Sequence, residues 1–496
     1  MSTTTARAWD EAIGVALDRV FPPAANPWRH LGSLAFLFFV VCLASGVYLY
    51  VLFDTSVAGA YDSGVALDRG TFGSLVRGLH RYSADAFAVA TVLHLVREAA
   101  RGHFRTFRAW SWVSGLVLVP LAWVAGLTGF WLAWDERALF SAVATAEWIA
   151  AWPWHAAGFA RNFASGEPVG DRFFSLVVFM HIGVPLIALG ATWVHLARLS
   201  HVRVWPPRAM GWAAVAALAA LAWLEPATSL GRADLLAAPA RASIDWFFHL
   251  PHALAGAITP AGLWLALGAA AALLVAMPWM GRRERAQAAR VDLANCNGCS
   301  RCAADCPFSA VAMVSRTDGR PHPRQAQVQP ALCAACGICA GACPSATPFR
   351  RRAQLASGID LPQRPVTAMR AELDRALARA PGRVVVFACG PAGAREATGA
   401  ATMRVECTAM VPPAFIEYAL RGGAAGVVLA GCREGDCEYR RGADWTAQRI
   451  ARERVPRLRA SVPRGRVRIV ACGSDVAQIA RAVQSLRPDD PEVRHA

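Results

Sequence analysis

Apolar residues run in long unbroken blocks before residue 281 and in short, spaced runs after it. Four blocks, 32–53, 110–133, 173–199 and 260–280, are each about 20 residues or more, the length that carries a helix across a hydrocarbon core roughly 30 Å thick. Segment 210–224 is shorter and spans only marginally. Segment 75–99 carries Arg77, Arg81, Asp85, Arg97 and Glu98, but these charges gather near its ends and its middle is apolar. With these two included, the pattern predicts an all-α transmembrane bundle of about six helices. Beyond residue 380, β-branched runs at 383–389, 426–431 and 467–472 alternate with helical periodicity at 414–421, 444–457 and 475–486. That alternation predicts a C-terminal α/β domain with a parallel sheet. The chain therefore reads as multidomain: a membrane part over 1–285, a small α+β cysteine-rich part over 286–349, a charged linker over 350–380 and the α/β part over 381–496.

Charge placement orients the membrane part. Arg101, Arg105 and Arg108 follow the second predicted span, Arg203 and Arg208 the fourth, and Arg282, Arg283 and Arg285 the sixth. The opposite loops carry Arg69, Arg137, Arg161, Arg232 and Arg241, diluted over longer segments with many acids. Basic residues stay on the cytoplasmic side, so both termini and everything after the last span are expected in the cytoplasm of a bacterium, with the bundle in its inner membrane. Residues 1–31 are mixed polar and do not read as a cleavable signal. The composition, 55% hydrophobic and 17% charged, agrees with a membrane protein. The net charge of +16 comes entirely from arginine and includes no basic run interleaved with aromatics, which argues against a nucleic-acid partner.

Four histidines are the first candidate chemistry. His80 and His94 lie 14 residues apart in the second predicted span, and His181 and His195 lie 14 apart in the fourth. Fourteen residues are close to four helical turns, so each pair shares one face, with about 21 Å between its members. The two helices run in the same direction, which sets His80 against His181 and His94 against His195. Two imidazoles at each of two levels are the axial ligand set of two six-coordinate haems. Gly32 and Gly46 on the first helix, and Gly115 and Gly129 on the third, repeat the interval. Glycine offers a flat macrocycle the clearance it needs. A lone membrane histidine is more often a packing residue or part of a proton path; four sites at one shared interval are not explained that way.

The motif Arg77-x-x-His80-x-x-x-Ala84-x-x-Phe87, ending in His94-x-x-Arg97, resembles the cytochrome b of quinol–cytochrome c reductases and their plastoquinol-oxidising relatives. His181 followed by Pro185, and the stretch from Gly129 to Asp135, are similar to the same family. The resemblance covers about residues 9–281 and implies two b-type haems, with Arg77 and Arg97 pairing haem propionates. The family's Pro-Glu-Trp-Tyr quinol motif stands here as Ile244-Asp245-Trp246-Phe247, preceded by Pro239-Ala240. Its carboxylate is one methylene shorter and the usual prolines are missing. Asp245 is a proton acceptor toward quinol or a solvated interfacial aspartate; His201, past the fourth span, is a quinone ligand or an ordinary interfacial histidine. A homodimer is implied by family analogy alone.

Of the 14 cysteines, 13 lie after residue 290. Cys296, Cys299, Cys302 and Cys306, then Cys333, Cys336, Cys339 and Cys343, form two Cys-x2-Cys-x2-Cys-x3-Cys-Pro runs, the signature of bacterial two-cluster ferredoxins. In such runs the fourth cysteine ligates the other cluster. One 4Fe–4S cluster is expected on Cys296, Cys299, Cys302 and Cys343, the second on Cys333, Cys336, Cys339 and Cys306; zinc is the weaker alternative. The 26-residue insert between the runs reads as a loop. Farther on, Val384–Cys389, Cys407-Thr-Ala-Met and Gly431-Cys432…Asp436-Cys437-Glu-Tyr439 resemble the delta subunit of methyl-viologen-reducing hydrogenase. That resemblance implies a 2Fe–2S cluster on Cys389, Cys407, Cys432 and Cys437, although the family's first motif has more cysteines. Structural or redox-sensing thiols are the alternative, and Cys472 is left over.

These readings converge on a membrane electron-transfer subunit. Electrons would enter from a soluble dehydrogenase, hydrogenase or heterodisulfide-reductase-like partner and pass through the clusters and haems to quinone. Quinol-driven reduction of a low-potential partner reverses the same chain. No flavin or nicotinamide fingerprint is present, so a partner must carry out the primary oxidation.

Overall fold

The computed structural model describes residues 3–152, 170–197, 201–234, 245–280, 286–350, 355–390, 399–433, 435–473 and 475–486. Arg161, Pro239, Ala240, Arg241, Ile244, Arg282, Arg283 and Arg285, named above, lie outside the described residues. The chain divides into two units, Met1–Leu196 with Arg203–Arg283, and Ala197–Val202 with Glu284–Ala496.

The first unit is helical. Its helices are α1 (Thr3–Leu17), α2 (Leu31–Leu52), α3 (Ala60–Arg69), α4 (Thr71–Arg101), α5 (Ala109–Leu132), α6 (Glu136–Ala150), α7 (Asp171–Leu196), α8 (Arg208–Leu224), α9 (Leu250–Ile258) and α10 (Pro260–Ala276). By length and apolar composition α2, α5, α7 and the Pro260–Trp279 segment are candidate spans; α8 is apolar but shorter. The 31-residue α4 stays helical through its charged ends, and Gly102 stops it in the left-handed region (φ 68°), where a residue without Cβ is at no disadvantage. Asp135 caps α6 by accepting from the Ala138 N–H. In the bundle α2 packs along α4, and α5 along α7. Much of the outer face of these helices is apolar and exposed, including Val47, Val51, Phe179, Leu186 and Trp193, as a lipid-facing surface requires.

The second unit holds the two cysteine-rich regions together. Strand β1 (Arg290–Val291) pairs antiparallel with β4 (Ile359–Asp360), and β2 (Val311–Ser315) with β3 (Arg324–Val328). The insert between the cysteine runs, expected as a loop, is therefore a hairpin; its strand Arg-Gln-Ala-Gln-Val is half-exposed and buries only Ala326. Short helices α11 (Arg301–Ala304) and α12 (Ile338–Ala342) each sit inside a cysteine run. The segment expected as a linker contains α13 (Val366–Arg379), which buries Val366, Met369 and Leu373 at helical spacing. It belongs to the core rather than to a tether. The parallel sheet has strand order β6-β5-β7-β8, with β5 (Val384–Cys389), β6 (Ala400–Val405), β7 (Val427–Gly431) and β8 (Val467–Ala471). Helices α14 (Pro413–Arg421), α15 (Gly442–Ile450) and α16 (Val476–Gln484) connect and cover it. Central β5 and β7 are buried throughout, which is why they read as continuous apolar runs; edge strand β6 has an exposed residue and had no such signal.

Candidate redox-cofactor sites

Each of the four bundle histidines faces one of the four glycines that repeat the 14-residue interval. A Cβ on Gly46 would stand 3.0 Å from His80, one on Gly129 2.7 Å from His181, one on Gly115 3.0 Å from His195 and one on Gly32 3.3 Å from His94. In the structure the glycines thus clear room for the imidazoles themselves. The neighbouring helix also sets the tautomer. His80 Nδ1 lies 2.9 Å from the Cys42 carbonyl and 3.2 Å from Ser45 Oγ. His181 Nδ1 lies 2.8 Å from the Ala125 carbonyl and 3.5 Å from Thr128 Oγ1. His195 Nδ1 lies 3.1 Å from Ser114 Oγ. Each hydroxyl already donates to a carbonyl one turn back, at Val41, Val124 and Trp110, so it can only accept from the imidazole. Nδ1 therefore carries the hydrogen and Nε2 keeps its lone pair for a metal. Sequence reasoning missed these hydroxyls, although the dipeptides Ser45-Gly46, Ser114-Gly115 and Thr128-Gly129 were a visible signal.

The rings of His80 and His181 have their centres 6.1 Å apart. With metal–nitrogen bonds of about 2 Å and ring centres roughly 1 Å behind each nitrogen, two axial imidazoles on one iron would be about 6 Å apart. The residues present fit a haem iron. Arg77 is held by Asp68 Oδ1 at 2.5 Å, Ser229 Oγ at 2.7 Å and the Gly64 carbonyl at 3.1 Å. Arg97 Nε donates to Asp10 Oδ1 at 3.1 Å, and Asp10 also accepts from Trp28 Nε1. Asp245 is 6% exposed and lies beside Arg81, the residue after His80, at 2.7 Å. His201, at φ 55°, groups with the second unit, its ring edge-on to Trp445 at 5.7 Å.

In the second unit the thiols fall into the crossed sets. Burial, with Cys343, Cys299 and Cys296 close by, pushes Cys302 up to about 12. Burial also raises Cys336, whose thiol neighbours are Cys306 and Cys333, and Cys339, whose nearest thiols are Cys336, Cys333 and Cys306. One cavity is lined by Cys306, Cys333, Cys336 and Cys339 together with Phe308, Ile338 and Leu361. Four thiols round one apolar cavity, those of Cys306, Cys336 and Cys339 buried and that of Cys333 half-buried, are a donor set that a cationic iron–sulfur core would complete. Gly337, at φ 74°, turns the chain into α12, and a Cβ there would press on Met410.

The third thiol set lies at the carboxyl ends of the parallel strands. Cys389 Sγ and Cys432 Sγ are 3.7 Å apart, and that contact, with burial, pushes Cys432 up to about 12. A Cβ on Gly442 would collide with Cys407 Sγ and stand 3.5 Å from Cys437 Sγ, so glycine is what lets α15 close over these two thiols. The same Cβ would be 3.7 Å from Ile338 of the second cysteine run. Cys407 is raised by burial and then by Cys437 and Cys336, so the second ferredoxin set and the C-terminal set are neighbours. Arg449, 1% exposed, joins the regions: it donates to Asp305 Oδ2 at 2.5 Å and to the Ala409 carbonyl at 2.6 Å, while Arg454 takes Asp305 Oδ1. Cys472 is buried and within reach of the Gly431 carbonyl.

Helices carrying paired histidines and loops carrying crossed cysteine runs define a membrane redox protein with iron–sulfur modules. Comparison with known families makes this specific. Residues 16–203 match the family model for cytochrome b/b6/petB, 295–347 the 4Fe–4S dicluster domain, and 384–487 the methyl-viologen-reducing hydrogenase delta subunit. The chain is a fusion with a cytochrome b/b6 domain at its N-terminal end, a 4Fe–4S dicluster domain, and a hydrogenase delta-subunit-like domain at its C-terminal end. Similar proteins include the cytochrome b6 of Synechococcus sp. (strain JA-3-3Ab), 29% identical over 34% of this chain and 80% of that protein. The cytochrome b6 of Gloeobacter violaceus is 34% identical over 23% of this chain and 54% of its own length. A chain of a hyperthermophilic respiratory Complex III is also similar, at 22% identity and a TM-score of 0.42, covering 50% of this chain and 74% of that one.

Proposed function

We propose that this protein connects a soluble redox partner to the quinone pool through a fixed series of carriers. The partner, a dehydrogenase, hydrogenase or heterodisulfide-reductase-like enzyme, exchanges electrons with a 2Fe–2S cluster on Cys389, Cys407, Cys432 and Cys437. The 4Fe–4S cluster on Cys306, Cys333, Cys336 and Cys339 follows, then that on Cys296, Cys299, Cys302 and Cys343. His94 with His195, and His80 with His181, hold two b haems in a six-span bundle, and quinone reacts in the membrane near Asp245 or His201. The observation that carries this reading is that one chain holds both donor systems, helix histidines of which His80, His181 and His195 are held through Nδ1, and crossed cysteine sets beside a third thiol set. When bound, the haems and clusters supply one-electron chemistry; the protein fixes their spacing and surroundings. Redox titration of membranes, with haems read optically and clusters by electron paramagnetic resonance, tests it. Cluster potentials below those of the haems support flow toward quinone, and the opposite order supports quinol-driven reduction of the partner. Absence of a cluster signal from the C-terminal cysteines would overturn the proposed entry point.

A further inference from the structure

Three charged side chains meet inside the second unit, where its cysteine sets come together. Asp305, the residue before Cys306, is buried. Its Oδ2 accepts from Arg449 Nη2 at 2.5 Å, and its Oδ1 from Arg454, through Nε at 2.9 Å and Nη2 at 2.5 Å. Arg449 also donates through Nη1 to the carbonyl of Ala409, two residues after Cys407. The same nitrogen lies against α12. A Cβ on Gly341, two residues after Cys339, would collide with the Ala409 carbonyl and stand 2.9 Å from Arg449 Nη1. Glycine is what admits the guanidinium between the second cysteine run and the turn after Cys407. Arg454 is half-buried, its guanidinium 4.6 Å from the centre of the Trp445 ring. Two cations on one anion leave one positive charge uncompensated, and Arg449 Nε is buried with no partner among the described residues. Burial pulls Arg449 below its ordinary value and Asp305 pulls it back; a guanidinium stays charged throughout. Well-packed apolar side chains can replace a buried ion triad without loss of stability, so packing alone gives no reason for this one.

We infer that the Arg449–Asp305–Arg454 triad is a fixed positive charge that raises the reduction potential of the 4Fe–4S cluster on Cys306, Cys333, Cys336 and Cys339. The inference rests on the cluster reading above and names the charge that sets this cluster's potential. The sign follows from electrostatics. A cluster that has gained an electron is one unit more negative, so a cation held beside it favours the reduced form. Burial strengthens the effect, because a charge in the interior is screened far less than one in water. Arg449 comes from the C-terminal domain and Asp305 from the first cysteine run, so each module supplies part of the charge. An electron is thereby favoured at the junction between the C-terminal thiol set and the ferredoxin sets.

The test is a mediated redox titration of the full-length, cluster-loaded protein, read by electron paramagnetic resonance at the signal that Cys306→Ser removes. Iron and sulfide content monitors assembly. Arg449→Met keeps most of the stem and removes the charge. At a fixed poise it is expected to lower the ratio of reduced to oxidised cluster about tenfold, a fall of about 59 mV for one electron. Asp305→Asn removes the negative charge in nearly the same shape and should move the ratio about as far upward. The double variant has the wild-type net charge and should return to within about threefold of the wild-type ratio. Loosened packing would instead move both single variants the same way and the double variant farther still. Where Arg449→Met does not assemble, Arg454→Met, at the half-buried end of the triad, takes its place with a smaller fall. Shifts of one sign in the single variants, or no shift in either, would overturn the inference and leave the cluster reading intact. Absence of that signal from the wild-type protein would overturn both.

Discussion

In the membrane unit the four ligand-type histidines are spread from residue 80 to residue 195 and are aligned by helix packing alone, whereas in the iron–sulfur unit eight cysteines sit in two runs whose own turns bring them together. The first arrangement holds His80, His181 and His195 through Nδ1 by groups on the neighbouring helix, whatever is bound at Nε2. The second crowds thiols into an apolar interior, where burial and mutual repulsion raise Cys302, Cys336 and Cys339. Helices can therefore position a cofactor without depending on it, while short loops of buried thiols depend on theirs.

Removing ligands should expose that difference most sharply. His94→Ala is expected to remove one haem of two, read as a halved pyridine haemochrome, with the other haem and the bundle's helicity preserved. Cys306→Ser should instead abolish the signal of the cluster shared with Cys333, Cys336 and Cys339, and should open α12 to proteolysis. Equal tolerance of both losses would break the comparison. A smaller effect is expected at Arg449, because Arg449→Ala strands the buried Asp305; the cost of breaking such a pair is about 3–5 kcal/mol, seen as a lower denaturant midpoint for cluster bleaching. Gly129→Val drives a side chain into His181 and should cost about 1–3 kcal/mol, with loss of one haem on mild heating. Gly183→Ala, where an added Cβ meets nothing within 4 Å, is the matched control and should be neutral or stabilising. The smallest effect belongs to Ser114→Ala, which removes a hydrogen bond of about 1 kcal/mol from His195 and should raise one haem potential by roughly 40 mV.

What could be read from the sequence follows the same division. Helical spacing and cysteine spacing are local, periodic signals, and the His80–His181 pair and the cysteine groupings were visible in them. The hairpin at Val311–Val328 was not, because its strands are half-exposed and carry Arg, Gln and Ser. Helix α13 was hidden by its charge: only three of its residues are buried, and they are spaced among arginines and acids.

The Asp305–Arg449 pair and the glycine contact at Gly442 have one further consequence. A ferredoxin that shuttles on a tether must dock before each transfer, so its turnover slows as the solvent thickens. Here the cysteine sets around Cys336 and Cys407 belong to one folded body, with Ile338 against Gly442 between them. A charge crossing from one set to the other waits on no diffusive encounter. On the proposed electron path that step should proceed at the same rate in glycerol as in water, and viscosity should be felt only at the outer ends of the path.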